Sequence, residues 1–356
     1  MNYPKPLQPG SVIGVTAPSS GVEASQHSRL ELALSMLSNR GFKVREGNCL
    51  RSQTKDTSAP AKARADELMT FLTDPEIDAV MPPWGGQRAI ELLPHMDFER
   101  LKSCPPKWFC GFSDISTLHL PLSLIAGWPT LHGPNLMELA ATPLDANTAA
   151  IWDVLSCQPG QSVNQHSSQY YQQEVADWLE DPTAGLQQTE PTRWKRLDQS
   201  EQPLQLHGRL IGGCLDTLSR LAGTAYGDVP RLIRASGKHG VLLYLENAQL
   251  EPLEMLRALK SLEFHGWFTD ISGLLIGRNT GPDTSSEAHL SYVDALHEVF
   301  DSMPHPTLYD ADIGHKPPQV SLVNLASATV HYASGSAMVA QTLEEFRLLH
   351  KDCLSS

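Results

Sequence analysis

Residues 106–114 read Pro-Lys-Trp-Phe-Cys-Gly-Phe-Ser-Asp, a run of large apolar residues that ends at a serine and an aspartate. The apolar part, 108–112, has the length and composition of a buried β-strand, and the pattern of 115–125 predicts a helix. A strand that passes directly into a helix at Ser113 is typical of a β-α unit in a parallel sheet.

The rest of the first half repeats this alternation. A helix is predicted at 25–40, where apolar residues recur on one helical face and Gly41 ends the run. Other strands are predicted at 11–16, 42–44 and 77–81, and other helices at 61–72 and 88–93. This order predicts a parallel sheet of the Rossmann or flavodoxin-like kind, covered by helices and joined by right-handed crossovers. We assign it to an N-terminal domain, residues 1–160.

Polar residues dominate from about Cys157 to Pro203, and we interpret 161–204 as a long connection between two domains. It carries Trp178 and Trp194, which favour a functional segment over a disordered one. The alternation restarts in a C-terminal α/β domain, 205–356. Strands are predicted at 206–211, 240–245, 271–276 and 306–309, helices at 253–262 and 289–300, a helix that starts at Gly212-Gly213, and a hairpin at 328–339.

Composition excludes several classes of partner. The net charge is −13 and the pI about 5.5, so neither a nucleic acid nor an anionic membrane surface is an expected partner. No apolar run approaches the ~20 residues of a membrane span. The first fifteen residues lack a signal-peptide pattern, and the six cysteines form no CxxC pair. We therefore expect a cytoplasmic protein with reduced thiols.

Three reactive residues lie at or just beyond predicted strand ends, where open α/β sheets bind ligands: Ser113, Glu246 and His315. A serine hydroxyl needs a base to accept its proton, and the base needs a carboxylate to orient it. The set therefore favours a hydrolase. Each residue also has an ordinary structural interpretation, because serines and carboxylates cap helices and the chain has thirteen other histidines. The residues alone leave both interpretations open.

Gly85 and Gly86 follow another predicted strand, and glycines permit a close approach of backbone N–H groups. With the N–H of Asp114, one of them could form an oxyanion hole; a tight turn is the alternative. The sequence contains no HExxH, no metal-spaced histidine cluster, no GxGxxG and no P-loop pattern. We expect neither a metal nor a cofactor, and the missing glycine fingerprint opposes a nucleotide-binding oxidoreductase.

Eight short segments recur along the chain in a characteristic order and spacing: 9–20, Gly85-Gly86, 106–114, His132-Gly133-Pro134, Gly212-Gly213, Gly223-Thr224, Leu245-Glu246 and Gly314-His315. They resemble those of the LD-carboxypeptidases (muramoyltetrapeptide carboxypeptidases) and the related microcin C immunity peptidases. The resemblance covers nearly the whole chain.

The resemblance implies that Ser113 is the nucleophile, His315 the general base and Glu246 its orienting carboxylate. It also implies an oxyanion hole at the N–H groups of Gly86 and Asp114. The site would lie between two α/β domains, without a metal or cofactor, and the chain would form a homodimer.

Two substrate classes follow from the resemblance. One branch removes the terminal D-Ala from murein tetrapeptides, which is the function we predict, and the other cleaves peptidyl or aminoacyl nucleotides. Gly85, Trp178 and Trp194 are the candidate substrate-binding residues, the tryptophans through stacking on a nucleobase; packing between the domains is their alternative role. The segment after His315, Lys316-Pro317-Pro318, departs from the common family pattern. A small-molecule-binding protein that has lost catalysis therefore remains an alternative.

Overall fold

A computed structural model describes residues 3–174, 176–284, 286 and 288–345, and every structural statement below refers to them. The strands are β1 (Val12–Val15), β2 (Lys43–Glu46), β3 (Ala79–Val80), β4 (Trp108–Gly111), β5 (Leu131–His132), β6 (Ser162–His166), β7 (Tyr170–Tyr171), β8 (Glu190–Pro191), β9 (Lys195–Arg196), β10 (Leu204–Cys214), β11 (Val241–Glu246), β12 (Gly273–Gly277), β13 (Thr307–Ala311), β14 (Leu322–Val323), β15 (Ser327–Ala333) and β16 (Ser336–Thr342).

The α-helices are α1 (His27–Asn39), α2 (Ala61–Thr73), α3 (Phe98–Lys102), α4 (Ser116–Pro121), α5 (Ala146–Ala149), α6 (Ile151–Leu155), α7 (Leu215–Leu218), α8 (Val229–Ser236), α9 (Pro252–Phe264) and α10 (Tyr292–Phe300). Short 3₁₀ turns precede several of them, including Ser113–Ile115 before α4 and Leu136–Ala140 after β5. Most of the predicted elements of both halves are present, with boundaries that differ by a few residues.

The first sheet has the strand order β14-β5-β4-β3-β1-β2. Its five N-terminal strands are parallel, as predicted, and β14 is added antiparallel from the second half of the chain. Helix α1 covers this sheet with the apolar face read from the sequence: Leu30, Ala33, Leu34 and Leu37 are buried. Burial of each large apolar side chain contributes about 1.5–3 kcal/mol.

The second sheet has the order β6-β16-β15-β10-β11-β12-β13-β9. Strands β10 to β13 are parallel, and β15 and β16 form the predicted hairpin through Ser334 and Gly335, both at positive φ. Together the two sheets confirm the predicted two-domain α/β class. The carboxyl ends of β4, β11 and β13 meet between them.

The segment 161–204 is more structured than the predicted connection. Its strand β6 pairs with β16, and β9 pairs with β13, so the segment supplies both edges of the second sheet. Strand β6 has the sequence SVNQH, with one buried side chain, Gln165. A short polar edge strand has no alternating apolar pattern to reveal it, which explains why composition alone predicted a loop.

The prediction that Gly212 and Gly213 begin a helix was wrong. Strand β10 continues through both glycines, and α7 begins at Leu215. A Cβ on Gly212 would overlap the carbonyl oxygen of Tyr244 in β11, and one on Gly213 would lie 2.5 Å from Ser116 Oγ. The glycines therefore serve close packing against a neighbouring strand and helix, a requirement that is not visible locally.

Helix α8 was not predicted, although its start carries local signals. Asp228 caps it by accepting the N–H of Arg231, and Pro230 lies in its first turn.

In the part of the chain that the structure describes, no helix has the length and apolar character needed to cross a bilayer.

Candidate active site

Ser113 lies in the turn between β4 and α4. Its φ is +63°, whereas Phe112 before it is extended at −149°. A positive φ is unusual and strained for a residue with a side chain, and such strain is concentrated at functional sites. The sharp turn presents the serine hydroxyl at the start of a helical segment, as expected for a nucleophile.

The three strand-end residues form one chain of hydrogen bonds. Nε2 of His315 lies 2.9 Å from Ser113 Oγ, and Nδ1 of His315 lies 2.8 Å from Glu246 Oε2. Glu246 is fully buried at the end of β11. With a neutral imidazole, Ser113 donates to Nε2, and Nδ1–H donates to the carboxylate. This is the arrangement that activates a serine in known hydrolases.

The electrostatics of the pair suit a general base. Burial alone would lower the pKa of His315, but the negative charge of Glu246 outweighs it and holds the pKa above its usual 6.5. Burial alone would raise the pKa of Glu246, and the attraction of His315 instead holds it below its usual value. The ionised form of Glu246 is therefore favoured, and its charge favours a protonated His315.

Two glycines make room for Glu246. A Cβ on Gly314, whose φ is +94°, would lie 2.5 Å from Glu246 Oε2, and a Cβ on Gly277 would lie 2.8 Å from Glu246 Cβ. The glycine that precedes His315 therefore allows the histidine loop to approach the carboxylate closely.

The Gly85-Gly86 loop lies directly against the serine. A Cβ on Gly85 would be 2.8 Å from Ser113 Cβ and 3.0 Å from the backbone nitrogen of Asp114. Gly86 has a φ of +146°, and a Cβ there would overlap Ser19 Oγ. The chain can therefore follow this path beside Ser113 only with glycine at both positions.

The side chain of Asp114 has a role that the sequence did not suggest. It accepts hydrogen bonds from Ser19 Oγ at 2.5 Å, from Ala89 N–H at 2.8 Å and from Thr117 Oγ1 at 3.1 Å. The buried carboxylate thus fixes the loops around the serine. Both carboxylate oxygens of Asp114 accept hydrogen bonds within the protein, so the group of Asp114 that is available to a substrate is its backbone N–H.

Two cavities share His315 as a wall. The first, of about 380 Å³, we call the serine cavity; its lining includes Ser113, Gly86, Asp114, Asp216, Arg220 and Glu254. The second, of about 190 Å³, we call the tryptophan cavity; its lining includes Trp178, Arg29, Glu138, Asp145, Gln319 and Pro317.

The two tryptophans of 161–204 occupy different environments. Trp178 is partly buried, lines the tryptophan cavity and packs its ring on the guanidinium of Arg29, 4.4 Å from Cζ to the ring centre. Trp194 is fully buried and donates its indole N–H to Asp312 Oδ2 at 2.6 Å. It lines neither cavity, so we do not retain Trp194 as a substrate-binding residue; its ring belongs to the core of the second sheet.

This geometry, a serine–histidine–carboxylate chain between two α/β sheets, is that of a serine hydrolase. Two family models match the chain: the LD-carboxypeptidase N-terminal domain at residues 13–133 and the LD-carboxypeptidase C-terminal domain at 207–330. The chain therefore belongs to the LD-carboxypeptidase family and is a serine carboxypeptidase.

Individual relatives agree with this assignment. The chain is 28% identical over 351 residues to a Bacillus subtilis protein named "Probable murein peptide carboxypeptidase", covering 97% of each chain. It is 23% identical over 321 residues to the microcin C7 self-immunity protein MccF of Escherichia coli, covering 89% of each.

Solved structures show the same fold. MccF in complex with aspartyl sulfamoyl adenosine superposes with a TM-score of 0.82 at 20% identity, covering 97% of this chain and 100% of that one. The muramoyltetrapeptide carboxypeptidase of Oxalobacter formigenes gives a TM-score of 0.70 at 19% identity, covering 93% and 99%.

Proposed function

We propose that this enzyme removes the terminal D-Ala from murein tetrapeptides through an acyl-enzyme intermediate. Ser113 is the nucleophile, His315 the general base and Glu246 the carboxylate that orients it. The observation that carries this proposal is the hydrogen-bond chain from Ser113 through His315 to Glu246. Membership of the LD-carboxypeptidase family supports the substrate class, as do the murein peptide and the muramoyltetrapeptide in the names of two similar proteins.

In the first half-reaction, Ser113 Oγ attacks the carbonyl carbon of the scissile amide while His315 Nε2 takes the hydroxyl proton. The oxyanion that forms accepts hydrogen bonds from the backbone N–H groups of Gly86 and Asp114. Each such donor is worth about 10²–10³ in rate. His315 then gives its proton to the amine nitrogen, the C–N bond breaks, and D-Ala leaves.

In the second half-reaction, a water molecule attacks the ester carbon and His315 Nε2 accepts a proton from it. The tetrahedral species collapses, His315 returns the proton to Ser113 Oγ, and the shortened peptide leaves as a carboxylic acid that loses its proton to water. Glu246 remains ionised throughout and stabilises the imidazolium that forms twice in the cycle.

The tryptophan cavity favours a second candidate function, the cleavage of aminoacyl nucleotides. Trp178 contributes an aromatic ring beside His315, on which a nucleobase could stack. The printed descriptions of two MccF structures name bound aspartyl sulfamoyl adenosine and glutamyl sulfamoyl guanosine.

One experiment separates these candidates: product mass spectrometry on a mixed panel of murein tetrapeptides ending in D-Ala and aminoacyl nucleotide analogues, with Ser113→Ala beside the wild type. Loss of D-Ala by the wild type only supports the first function, and cleavage of the nucleotides only supports the second. Cleavage of neither class, together with no labelling of Ser113 by a mechanism-based serine reagent, would indicate a binding protein. Equal activity of Ser113→Ala would overturn the assignment of the nucleophile.

A further inference from the structure

Five fully buried polar side chains lie where the two sheets meet, and we call them the polar seam: Thr130, His132, Tyr244, Glu246 and Asn324. Tyr244 and Glu246 are two residues apart on β11, so they project from the same side of that strand. The ring of Tyr244 meets the imidazole of His132 edge-on, 5.2 Å from centre to centre. His132 therefore lies on the side of β11 from which Glu246 projects.

Hydrogen bonds join one end of the polar seam but not the other. The Tyr244 hydroxyl donates to Asn324 Oδ1 at 2.8 Å, and Asn324 Nδ2 donates to Thr130 Oγ1 at 3.0 Å. At the other end, neither ring nitrogen of His132 has a partner among the described residues, and no described N–H or O–H group donates to Glu246 Oε1. Buried polar groups are nearly always hydrogen-bonded, so these exceptions call for an explanation.

The two unpartnered groups are complementary. Burial lowers the pKa of His132 to about 4, and the nearby charge of Glu246 opposes this only in part. The imidazole is therefore neutral at pH 7 and carries one N–H donor. Glu246 uses Oε2 for His315, which leaves Oε1 as an acceptor. The thiol of Cys214 also lies near Glu246, but a thiol is a weak donor, and this one lies 3.5 Å from Asp216 Oδ2.

We propose that His132 is a second positioning residue of the active site, whose imidazole N–H holds Glu246 Oε1 through one buried water molecule. Buried waters typically make about three hydrogen bonds to polar groups that otherwise lack partners. A bridge of this kind is enthalpically nearly as good as a direct hydrogen bond. With Oε2 on His315 and Oε1 tied to His132, the carboxylate of Glu246 is fixed at both oxygens.

The rings around His132 restrict its orientation and keep it away from the substrate. Besides Tyr244, the ring of Phe112 packs against His132 at 6.0 Å, and the same ring lies 4.8 Å from His315. His132 lines neither the serine cavity nor the tryptophan cavity. It therefore acts on the reaction only through Glu246.

This inference rests on the proposed function, because Glu246 matters for catalysis only if His315 is the base for Ser113. Without the contact at Oε1, the carboxylate is free to turn away from His315 Nδ1. Fewer molecules then hold the imidazole in the orientation that accepts the serine proton. The loss should appear in kcat and not in KM, since His132 touches no substrate.

The test is steady-state kinetics of D-Ala release by His132→Phe, which keeps an aromatic ring and removes the N–H. We expect kcat to fall about tenfold to a hundredfold, the range for a lost hydrogen bond to a charged group, with KM unchanged. Asparagine and glutamine place an amide N–H near the positions of Nδ1 and Nε2, respectively. One of His132→Asn and His132→Gln should therefore recover most of the lost kcat, which a role in packing alone would not produce.

His119→Phe is the matched control. His119 is likewise fully buried, meets the ring of Phe109 edge-on at 5.3 Å and lines neither cavity. It should leave kcat unchanged, and thermal unfolding of every variant shows whether it is folded. If His132→Phe does not fold, His132→Leu replaces it with the same expectation. An unchanged kcat in the variant without the N–H, an equal fall in His119→Phe, or no recovery with either amide would overturn the inference.

Failure of the proposed substrate would look different, because no tetrapeptide would then lose D-Ala. The inference is then decided by the rate at which phenylmethanesulfonyl fluoride modifies Ser113, followed by mass spectrometry of the intact protein. A rate about tenfold or more lower in His132→Phe than in the wild type supports the inference, and equal rates overturn it. A wild-type Ser113 that is not modified would overturn the assignment of the nucleophile and this inference with it.

Discussion

Arg29 and Arg278 hold different parts of the segment 161–204 in similar ways. Both side chains are buried, and each packs against an aromatic ring of the segment: Trp178 lies 4.4 Å from Arg29, and Tyr171 lies 4.6 Å from Arg278. Each also donates hydrogen bonds to the segment, Arg29 to two backbone carbonyls and Arg278 to two side-chain hydroxyls.

The two arginines differ in how their charge is compensated. Arg278 forms an ion pair with the fully buried Asp312, and its Nη1 donates to the carbonyls of Lys316 at 2.7 Å and Pro318 at 3.1 Å. Its donors thus hold the loop that follows His315. Nη2 of Arg29 has no partner among the described residues, and Arg29 lines the tryptophan cavity. Two buried side chains of one type therefore differ in whether a carboxylate of the described chain compensates their charge.

The largest expected effect distinguishes the two arginines by stability. Arg278→Met leaves Asp312 buried without its counter-charge, and we expect it to cost about 3–5 kcal/mol of unfolding free energy. Arg29→Met leaves neutral partners, the carbonyls of residues 137, 182 and 184, but no described carboxylate without its counter-charge, so we expect a smaller cost. Urea denaturation of both variants measures the difference. Equal losses would contradict the view that only Arg278 is compensated within the protein.

Trp178 and Trp194 should differ in the same way as the two arginines, with smaller effects on stability. Trp194→Phe keeps an aromatic ring in the core but removes the donor to Asp312 Oδ2. An unsatisfied buried acceptor should cost about 1–3 kcal/mol. Trp178→Phe removes no hydrogen bond recorded for the described residues and should change stability by less than about 1 kcal/mol, while raising KM. Thermal unfolding of both variants measures the change in stability, and steady-state kinetics measures the change in KM. A destabilised Trp178→Phe with an unchanged KM would show that Trp178 is also structural.

The sequence predicts well what local patterns determine. Ser113, Glu246 and His315 each follow a recognisable strand, and parallel strands bring such ends together. Helix α1 was likewise evident from its apolar spacing. The burial of Arg29 on that helix was not, because its partners are backbone carbonyls at 137, 182 and 184, which only the folded chain brings to it.

The errors have the same origin. Gly212 and Gly213 look like a helix start when read alone, but their form is dictated by β11 and α4, which are distant in sequence. The edge strands β6 and β9 exist because β16 and β13 offer unpaired edges. Non-local pairing of this kind leaves no periodic signal in a short polar segment.

The smallest expected effect is a pH dependence set by the charge of His315. The imidazole must be neutral to act as a base, so kcat/KM for the release of D-Ala should fall as the pH decreases through a value above 6.5, the raised pKa of His315.

The cause of this raised pKa is the charge of Glu246, which outweighs the effect of burial on His315. The measurement is kcat/KM for the release of D-Ala between about pH 8 and pH 5. A value that stays constant over this range would mean that His315 is not the general base.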